Sequence, residues 1–144
     1  MWRRGIVTFL FCVLHSTAQV QSLSLRMVGQ VGGPTQAVAV QGNYAYVGVG
    51  LRLVVLDVSN PAAMREVGAT APFPDFVEGV AISGTLAYVA AGGAGLRVVD
   101  VANPERPVEL GAFDTRGYAG GVAVVGTTVY LADGPYGLRL FDVS

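Results

Sequence analysis

A repeat of roughly 42 residues is the feature that most constrains how this chain can fold. Val38, Val80 and Val122 recur at equal intervals. The same interval separates Gly42, Gly84 and Gly126, and also Tyr46, Tyr88 and Tyr130. A period of roughly 40–50 residues is typical of propellers, solenoids and helical repeat arrays. The predicted copies are residues 37–78, 79–120 and the shorter 121–144.

Within each copy, short apolar runs alternate with turn-forming residues. In the second copy the runs are Val80–Ser83, Ala87–Ala91, Leu96–Val101 and Val108–Phe113. Valine, leucine and tyrosine favour strands, and the glycine, asparagine and proline residues between the runs favour tight turns. No run has the i, i+3, i+4 apolar spacing of an amphipathic helix. Four strands in each copy of the repeat predict the blade of an all-β propeller, with a β-solenoid as the main alternative.

The third run of each copy is too apolar for a strand with one face in water. Leu53–Leu56 and Leu96–Val99 are the clearest cases. Such runs predict strands that lie between two neighbouring sheets. One small twisted sheet cannot bury both of its faces, so we expect the blades to pack against each other.

These segments resemble the bacterial and archaeal LVIVD repeat. The core motif reads LVVLDVSNP at Leu53–Pro61, LRVVDVANP at Leu96–Pro104 and LRLFDVS at Leu138–Ser144. The resemblance extends from about Val28 to the C-terminus. It implies a propeller on a secreted or surface protein, and it implies no shared activity.

Residues 1–18 have the layout of a secretory signal peptide. Arg3 and Arg4 precede the short apolar core Ile6–Leu14, and small residues stand at Ser16 and Ala18. This order of charge, apolar core and small residues is typical of an export signal. The apolar run is short for a membrane span, although an uncleaved anchor or a buried strand is the alternative. We expect a mature chain of residues 19–144, secreted or held at the cell surface.

The mature chain lacks the residue types behind most side-chain catalysis. Cys12 is the only cysteine, His15 is the only histidine, and the sequence contains no lysine. Residues 19–144 therefore cannot supply a Ser-His-Asp triad, a catalytic thiol or a Schiff-base lysine. The sequence predicts a non-catalytic chain with no cofactor.

The charge balance restricts the partners. Without Arg3 and Arg4, seven arginines stand against ten acidic residues, a net charge near −3. A nucleic-acid partner would need a basic face, so none is expected. No membrane span is predicted in the mature chain. The expected partners are a protein, a peptide or a carbohydrate.

Several recurring polar residues have structural explanations. Asp57, Asp100 and Asp142 each follow an apolar strand, where a carboxylate can accept backbone N–H bonds in the next turn. We interpret them as turn residues rather than as a metal or acid set. Arg97 and Arg139 alternate with apolar neighbours, and we expect them to reach a surface or to pair with carboxylates between blades.

Function in repeat folds usually lies where the copies differ. The differences concentrate in the connectors Pro72–Glu78 and Asp114–Ala119 and in the middle loops. The candidate binding residues are Phe73, Asp75, Phe76, Glu78, Asp114, Arg116, Tyr118, Asp133 and Tyr136. A mixed aromatic and acidic surface suits carbohydrate, peptide or Ca²⁺-assisted binding. Ordinary solvated loops are the alternative.

Residues Leu23–Gln30 resemble the fourth strand of a blade. Val28-Gly29 corresponds to Val67-Gly68 and to Leu110-Gly111 in the later copies. Since the repeat motif breaks off at Ser144, we expect a fragment that forms an incomplete ring of about three blades. If the chain is complete, two copies could pair into a ring of six blades. Open ends of this kind would favour self-association.

Three functions remain open on this evidence. The preferred one is a secreted or surface propeller that acts as a binding scaffold. The second is part of a larger exported enzyme, a carboxylate-based hydrolase or lyase, whose catalytic residues lie outside this chain. The third is a purely structural array module on a surface protein.

Overall fold

A computed structural model describes residues 24–144, and the predicted signal peptide (residues 1–18) lies outside the described residues. The described chain is all β, with eleven strands in three antiparallel sheets. Between residues 24 and 144 there is no α-helix, and 3₁₀ turns occur at Pro61–Ala63 and Gly134–Tyr136. In the same part of the chain, no helix is long and apolar enough to cross a membrane.

Each sheet is a meander in which consecutive strands pair. The first sheet consists of β1 (Thr35–Gln41), β2 (Tyr44–Val49), β3 (Arg52–Asp57) and β4 (Arg65–Ala69). The second consists of β5 (Gly79–Ser83), β6 (Leu86–Ala90), β7 (Leu96–Asp100) and β8 (Val108–Phe113). The third consists of β9 (Gly121–Val125), β10 (Thr128–Ala132) and β11 (Leu138–Asp142). The four runs predicted for the second copy match its four strands closely.

The recurring aspartates close the turn after the third strand of each sheet. Asp57, Asp100 and Asp142 each accept a hydrogen bond at Oδ1 from the backbone N–H two residues further on, at 3.0, 2.8 and 3.0 Å. Asn60 then accepts the N–H of Ala62 at 3.1 Å, where the 3₁₀ turn begins. These contacts confirm the prediction that the aspartates serve the turns.

The sheets pack face to face. We call the face toward the following sheet the forward face and the opposite one the rear face. The forward face of the first sheet buries Tyr46, Leu53 and Val55 against the rear face of the second, which contributes Val89 and Val99. Leu53–Leu56 is buried on both faces of its sheet, as expected, but among the described residues only the forward face packs against another sheet.

The second interface repeats the first one. Tyr88 and Leu96 lie on the forward face of the second sheet and pack against Val129 and Leu131 of the third. The first strands of the three sheets are also neighbours, since β5 contacts both β1 and β9. The repeat therefore produces a stack of sheets in which the forward faces of the first two sheets are each buried by the rear face of the next.

The segment before β1 lies where a preceding β4 would lie. A Cβ on Gly29 would overlap the carbonyl oxygen of Pro61, and a Cβ on Gly68 would overlap that of Pro104. The two glycines therefore make equivalent close approaches to successive turns. Residues 24–30 nevertheless form no strand, because no described strand lies beside them to pair with.

Candidate binding site

The connector between the first and second sheets (residues 70–78) is tied down at both ends. The backbone N–H of Phe73 donates to Leu51 O at 2.7 Å, and that of Val77 donates to Gly50 O at 2.9 Å. The side chains of Phe73 and Val77 belong to the core. This anchoring gives the exposed residues between them a defined position.

Asp75 joins this connector to the second sheet. Its Oδ2 accepts the N–H of Gly93 at 2.7 Å, and its Oδ1 accepts the N–H of Phe76 at 2.8 Å. A Cβ on Gly92 would lie 2.7 Å from Asp75 Oδ2 and 3.1 Å from Tyr118 Cε2, and Gly92 has φ +48°. The carboxylate and the phenol ring therefore flank a turn that favours glycine.

Arg97 supports the opposite side of this loop. Its Nη2 donates to Ala94 O at 2.7 Å and to Asp114 Oδ1 at 2.8 Å, and its Nη1 lies 3.4 Å from Glu109 Oε1. Its buried Nε has no partner among residues 24–144. Arg97 thus pairs with carboxylates of its own repeat, which corrects the expectation of a pair between blades. The reason is the register, because Glu109 lies on β8, the strand paired with the strand of Arg97.

A cleft of about 420 Å³ lies between these two groups of contacts. It is lined by Pro74, Asp75, Gly93, Ala94, Arg97 and Asp114. The Asp114 side chain is exposed at its mouth. The cleft therefore joins the two connectors at the loop between β6 and β7.

A chain of hydrogen-bonded side chains beside this loop joins β1, the first connector and the second connector. The hydroxyl of Tyr118 donates to Glu78 Oε1 at 2.5 Å. When the side-chain amide of Gln36 is oriented so that both its oxygen and its nitrogen have suitable partners, the nitrogen donates to Glu78 Oε2 at 2.9 Å and to Glu78 Oε1 at 3.2 Å. The bond to Glu78 raises the pKa of Tyr118, with smaller contributions from desolvation and from the charges of Glu78 and Asp75. The neutral phenol is therefore the favoured form.

Gln36 was absent from the sequence-based prediction of the site. It stands one full repeat before Glu78, so the repeat register was a signal that could have identified it.

Two predicted surface residues are buried instead. Phe73 packs in the core between the first two sheets, because its connector folds back over that interface. Asp133 is fully buried, accepting the Thr115 hydroxyl at 2.6 Å and the Nε of Arg139 at 2.5 Å. Asp133 thus anchors the second connector to the third sheet, and Arg139 also pairs within its own repeat.

The remaining predicted residues are divided between two places. Asp75, Glu78, Asp114 and Tyr118 are brought together around the second sheet, with exposed Phe76 next to Asp75 in the chain. Arg116 is exposed on the second connector. Tyr136 belongs to the 3₁₀ turn of the third repeat, where its ring centroid lies 5.8 Å from the Arg139 guanidinium carbon.

The carboxylates are not arranged as a metal site in the described chain. Among residues 24–144, no group of three or more His, Cys, Asp or Glu side chains could hold a metal ion. Asp75 and Asp133 are instead bound by N–H and O–H donors.

A second cleft, of about 290 Å³, lies between hairpin turns of the first and second sheets. Gln41, Gly84 and Pro104 are among its lining residues, and no charged side chain lines it. Its polar lining is therefore uncharged, unlike that of the first cleft.

The LVIVD repeat family model matches residues 32–71, 76–115 and 116–144. The chain belongs to the LVIVD repeat family. Each match contains one of the three sheets, so one LVIVD repeat corresponds to one sheet with the segment that precedes it. The resemblance stated from the core motif is thereby confirmed. No curated protein matches this LVIVD chain.

Solved structures share the fold of this LVIVD chain at low sequence identity. The computationally designed Ika8 protein has a TM-score of 0.64 at 13% identity, over 76% of this chain and 33% of that one. The computationally designed Ika4 protein has a TM-score of 0.64 at 16% identity, over 84% and 74%. A chain of the Mitotic Checkpoint Complex has a TM-score of 0.62 at 17% identity, over 76% and 38%. The LVIVD chain thus spans about a third of the Ika8 chain, and the likeness concerns the fold alone.

Proposed function

We propose that this LVIVD chain is a non-catalytic binding module of an exported protein, and that its sheets are blades of a propeller. LVIVD repeats often occur in propeller-like surface proteins. The blade proposal is supported by the meander of each sheet, the contact of β5 with both β1 and β9, and the forward-to-rear packing. Export is supported by the charge, apolar core and small residues of residues 1–18.

The binding proposal rests on one observation. Aromatic and acidic side chains are exposed beside the larger cleft, on connectors that are fixed by hydrogen bonds. We call Asp75, Phe76, Glu78, Asp114 and Tyr118 the connector surface. Phe76 and Tyr118 are exposed although their connectors are fixed by hydrogen bonds to neighbouring loops. Exposed aromatic rings held in place lose little entropy on binding, which makes them good ligand contacts.

The chemistry of the surface favours a protein or peptide segment with a basic side chain. The carboxylates of Asp75, Glu78 and Asp114 can accept N–H donors, while the two rings can cover the aliphatic part of an arginine or lysine. The cleft volume lies at the lower end of the range of about 300–1,000 Å³ for ligand pockets. An oligosaccharide, which also stacks on aromatic rings, is the second candidate ligand.

The absence of catalysis is proposed from the residues at hand. Residues 19–144 contain no His, Cys or Lys. The Asp75 and Asp133 carboxylates hold loops together through hydrogen bonds, which leaves them poorly placed to transfer protons to a substrate. Two alternative functions do not need ligand binding at the connector surface. In one, the chain is part of a longer enzyme whose acid and base lie elsewhere, and in the other it is a purely structural array.

The binding proposal is tested on peptide and glycan arrays. The purified chain should bind basic peptides on the array. The double variant Phe76→Ala, Tyr118→Ala should bind the same peptides with at least tenfold lower affinity. Tyr136→Ala is the matched control, since that tyrosine is equally exposed but lies outside the connector surface. If no array ligand binds, or if the control loses as much affinity as the double variant, the proposal is wrong.

Export is tested separately. A C-terminally tagged chain should appear in the surface or extracellular fraction, and mass spectrometry should show that the predicted signal peptide has been removed. A full-length chain retained inside the cell would contradict the signal-peptide assignment.

A further inference from the structure

The second cleft lies at the end of the sheets opposite to the connector surface. It is formed by the hairpin turns that join β1 to β2 and β5 to β6, together with the turn that follows β7. Since consecutive antiparallel strands reverse direction, these turns lie at one end of each meander, and the connectors and the β6–β7 loop lie at the other. We call this second cleft the hairpin cleft. It is therefore separate from the cleft beside the connectors.

Tyr46 brings an unpartnered hydroxyl to the hairpin cleft. The residue is only 3% exposed, and its ring is held in the core between the first two sheets. Within residues 24–144 its hydroxyl has no hydrogen-bond partner, yet it is not sealed inside the protein, since Tyr46 lines the cleft. Burial raises the pKa of Tyr46, with a smaller contribution from Tyr44 beside it. The phenol is therefore neutral and can both donate and accept a hydrogen bond.

The other polar groups of the hairpin cleft are amides and a hydroxyl. Gln41 Nε2 donates to Gly84 O at 2.9 Å, a bond that joins the two hairpin turns and fixes the side chain. Its Oε1 is left as an acceptor for a ligand. The side chains of Asn43 and Thr85 also line the cleft and form no hydrogen bond with another group in the described part of the chain. The cleft thus presents several uncharged donors and acceptors.

These polar residues are not required by the hairpin turn itself. In the second copy the positions of Gln41, Asn43 and Tyr44 are occupied by the serine, threonine and leucine of SGTL (residues 83–86). Both turns nevertheless have the same form, with a glycine at the equivalent place at φ +58° and +59°. Two amides and a phenol are therefore particular to the first turn. In repeat folds, such differences between copies are where binding residues usually lie.

We propose that the hairpin cleft binds one ring of a neutral saccharide. Each sugar hydroxyl both donates and accepts, which matches the mixed amide, phenol and hydroxyl groups of the lining. Val101 and Pro104 supply an apolar part of the lining that can cover the C–H groups of a sugar ring. The volume of about 290 Å³ equals the liquid share of roughly ten water molecules, which suits a single ring. Because no charged side chain lines the cleft, a neutral sugar is favoured over an acidic one.

Removal of the two phenol hydroxyls tests the proposal. The purified chain is titrated calorimetrically with lactose, N-acetylglucosamine and methyl α-mannoside as neutral probes, and with sialyllactose as the acidic probe. At least one neutral probe should bind. The double variant Tyr44→Phe, Tyr46→Phe should bind that probe with about tenfold lower affinity, because two hydrogen bonds are lost while both rings stay in place.

The matched control is Tyr88→Phe, which removes the same hydroxyl from the repeat position of Tyr46 in the second sheet. Tyr88 is also 3% exposed but does not line the hairpin cleft, so the affinity should be unchanged. Circular dichroism and the urea midpoint of each variant should match those of the wild type, which separates loss of binding from loss of fold.

Four results would overturn the proposal. They are no binding of any neutral probe, an unchanged affinity in the double variant, an equal loss in Tyr88→Phe, and tighter binding of sialyllactose than of lactose. The variant Phe76→Ala, Tyr118→Ala distinguishes this site from the connector surface. It should keep its affinity for the neutral probe, and a loss there would assign the sugar to the connectors instead. Binding of basic peptides should in turn be unaffected by Tyr44→Phe, Tyr46→Phe, so either proposal can fail without the other.

Discussion

Leucine at one repeat position provides the sharpest test of how the sheets pack. Leu53, Leu96 and Leu138 each stand four residues before the recurring aspartate of their copy. The first two are enclosed by the following sheet, whereas Leu138 faces solvent in the single chain. Truncation to alanine should therefore destabilise the fold at the first two positions and have little effect at the third, although the local sequences are alike.

The magnitude follows from what each leucine touches. A buried Leu→Ala change removes about three carbon groups, each worth roughly 0.8 kcal/mol of transfer free energy. Since the surrounding sheets relax only partly, a cavity adds to this loss, and about 3–4 kcal/mol is expected for Leu53→Ala and Leu96→Ala. At Leu138 both contributions nearly vanish, and the expected loss is below about 0.5 kcal/mol.

Urea unfolding followed by circular dichroism measures these differences, at a chain concentration where light scattering shows one chain mass. With a slope of about 2 kcal/mol per molar urea, Leu53→Ala and Leu96→Ala should lower the midpoint by about 1.5–2 M. Leu138→Ala is the built-in control and should leave the midpoint nearly unchanged. An equal loss at all three positions would refute the assignment of an open forward face to the third sheet.

Three further predictions concern the loops. Gly92→Ala should cost about 1–3 kcal/mol in urea unfolding, because its Cβ would meet a carboxylate oxygen at 2.7 Å with φ at +48°. Asp133→Ala should cost about 2–4 kcal/mol because it leaves a half-buried guanidinium and a buried hydroxyl without their acceptor, with Asp133→Asn less damaging; equal costs would contradict this reasoning. Glu78→Gln should lower the pKa of Tyr118 toward 10.0 in a difference titration of tyrosine absorbance. Because folding raises the pKa of Tyr118, its contribution to stability is complete at pH values below the pKa of tyrosine in the unfolded chain. That contribution is lost as the pH rises through the pKa of Tyr118 in the folded chain.

The strands and turns were predictable because their causes are local. Alternating apolar runs and the Asn-Pro turns placed the four strands of the second copy, and Asp100 closes its turn with an N–H only two residues away. The repeat register carried the same prediction to the other copies. Pairing of β3 with β4 and of β7 with β8 also follows from short connections along the chain.

The candidate site was predictable only in part. The connectors were identified by their difference between copies, and Asp75, Glu78, Asp114 and Tyr118 do come together. Composition could not show that Phe73 would turn inward, because an aromatic residue in a loop can lie on either side of it. Gln36 was missed because a single glutamine at the start of a strand carries no chemical signal of its own.

The sequence by itself determined the repeat, the strands and the family, since periodicity, turn chemistry and the core motif are all written along the chain. Only the tertiary structure decided which loop side chains meet. Asp75 binds Gly93, and Thr115 binds Asp133, each between segments that are distant in the sequence and belong to neighbouring repeats. Such contacts depend on how one sheet is placed on the next, because the packing of two faces, rather than any local preference, determines whether a carboxylate is buried or meets solvent.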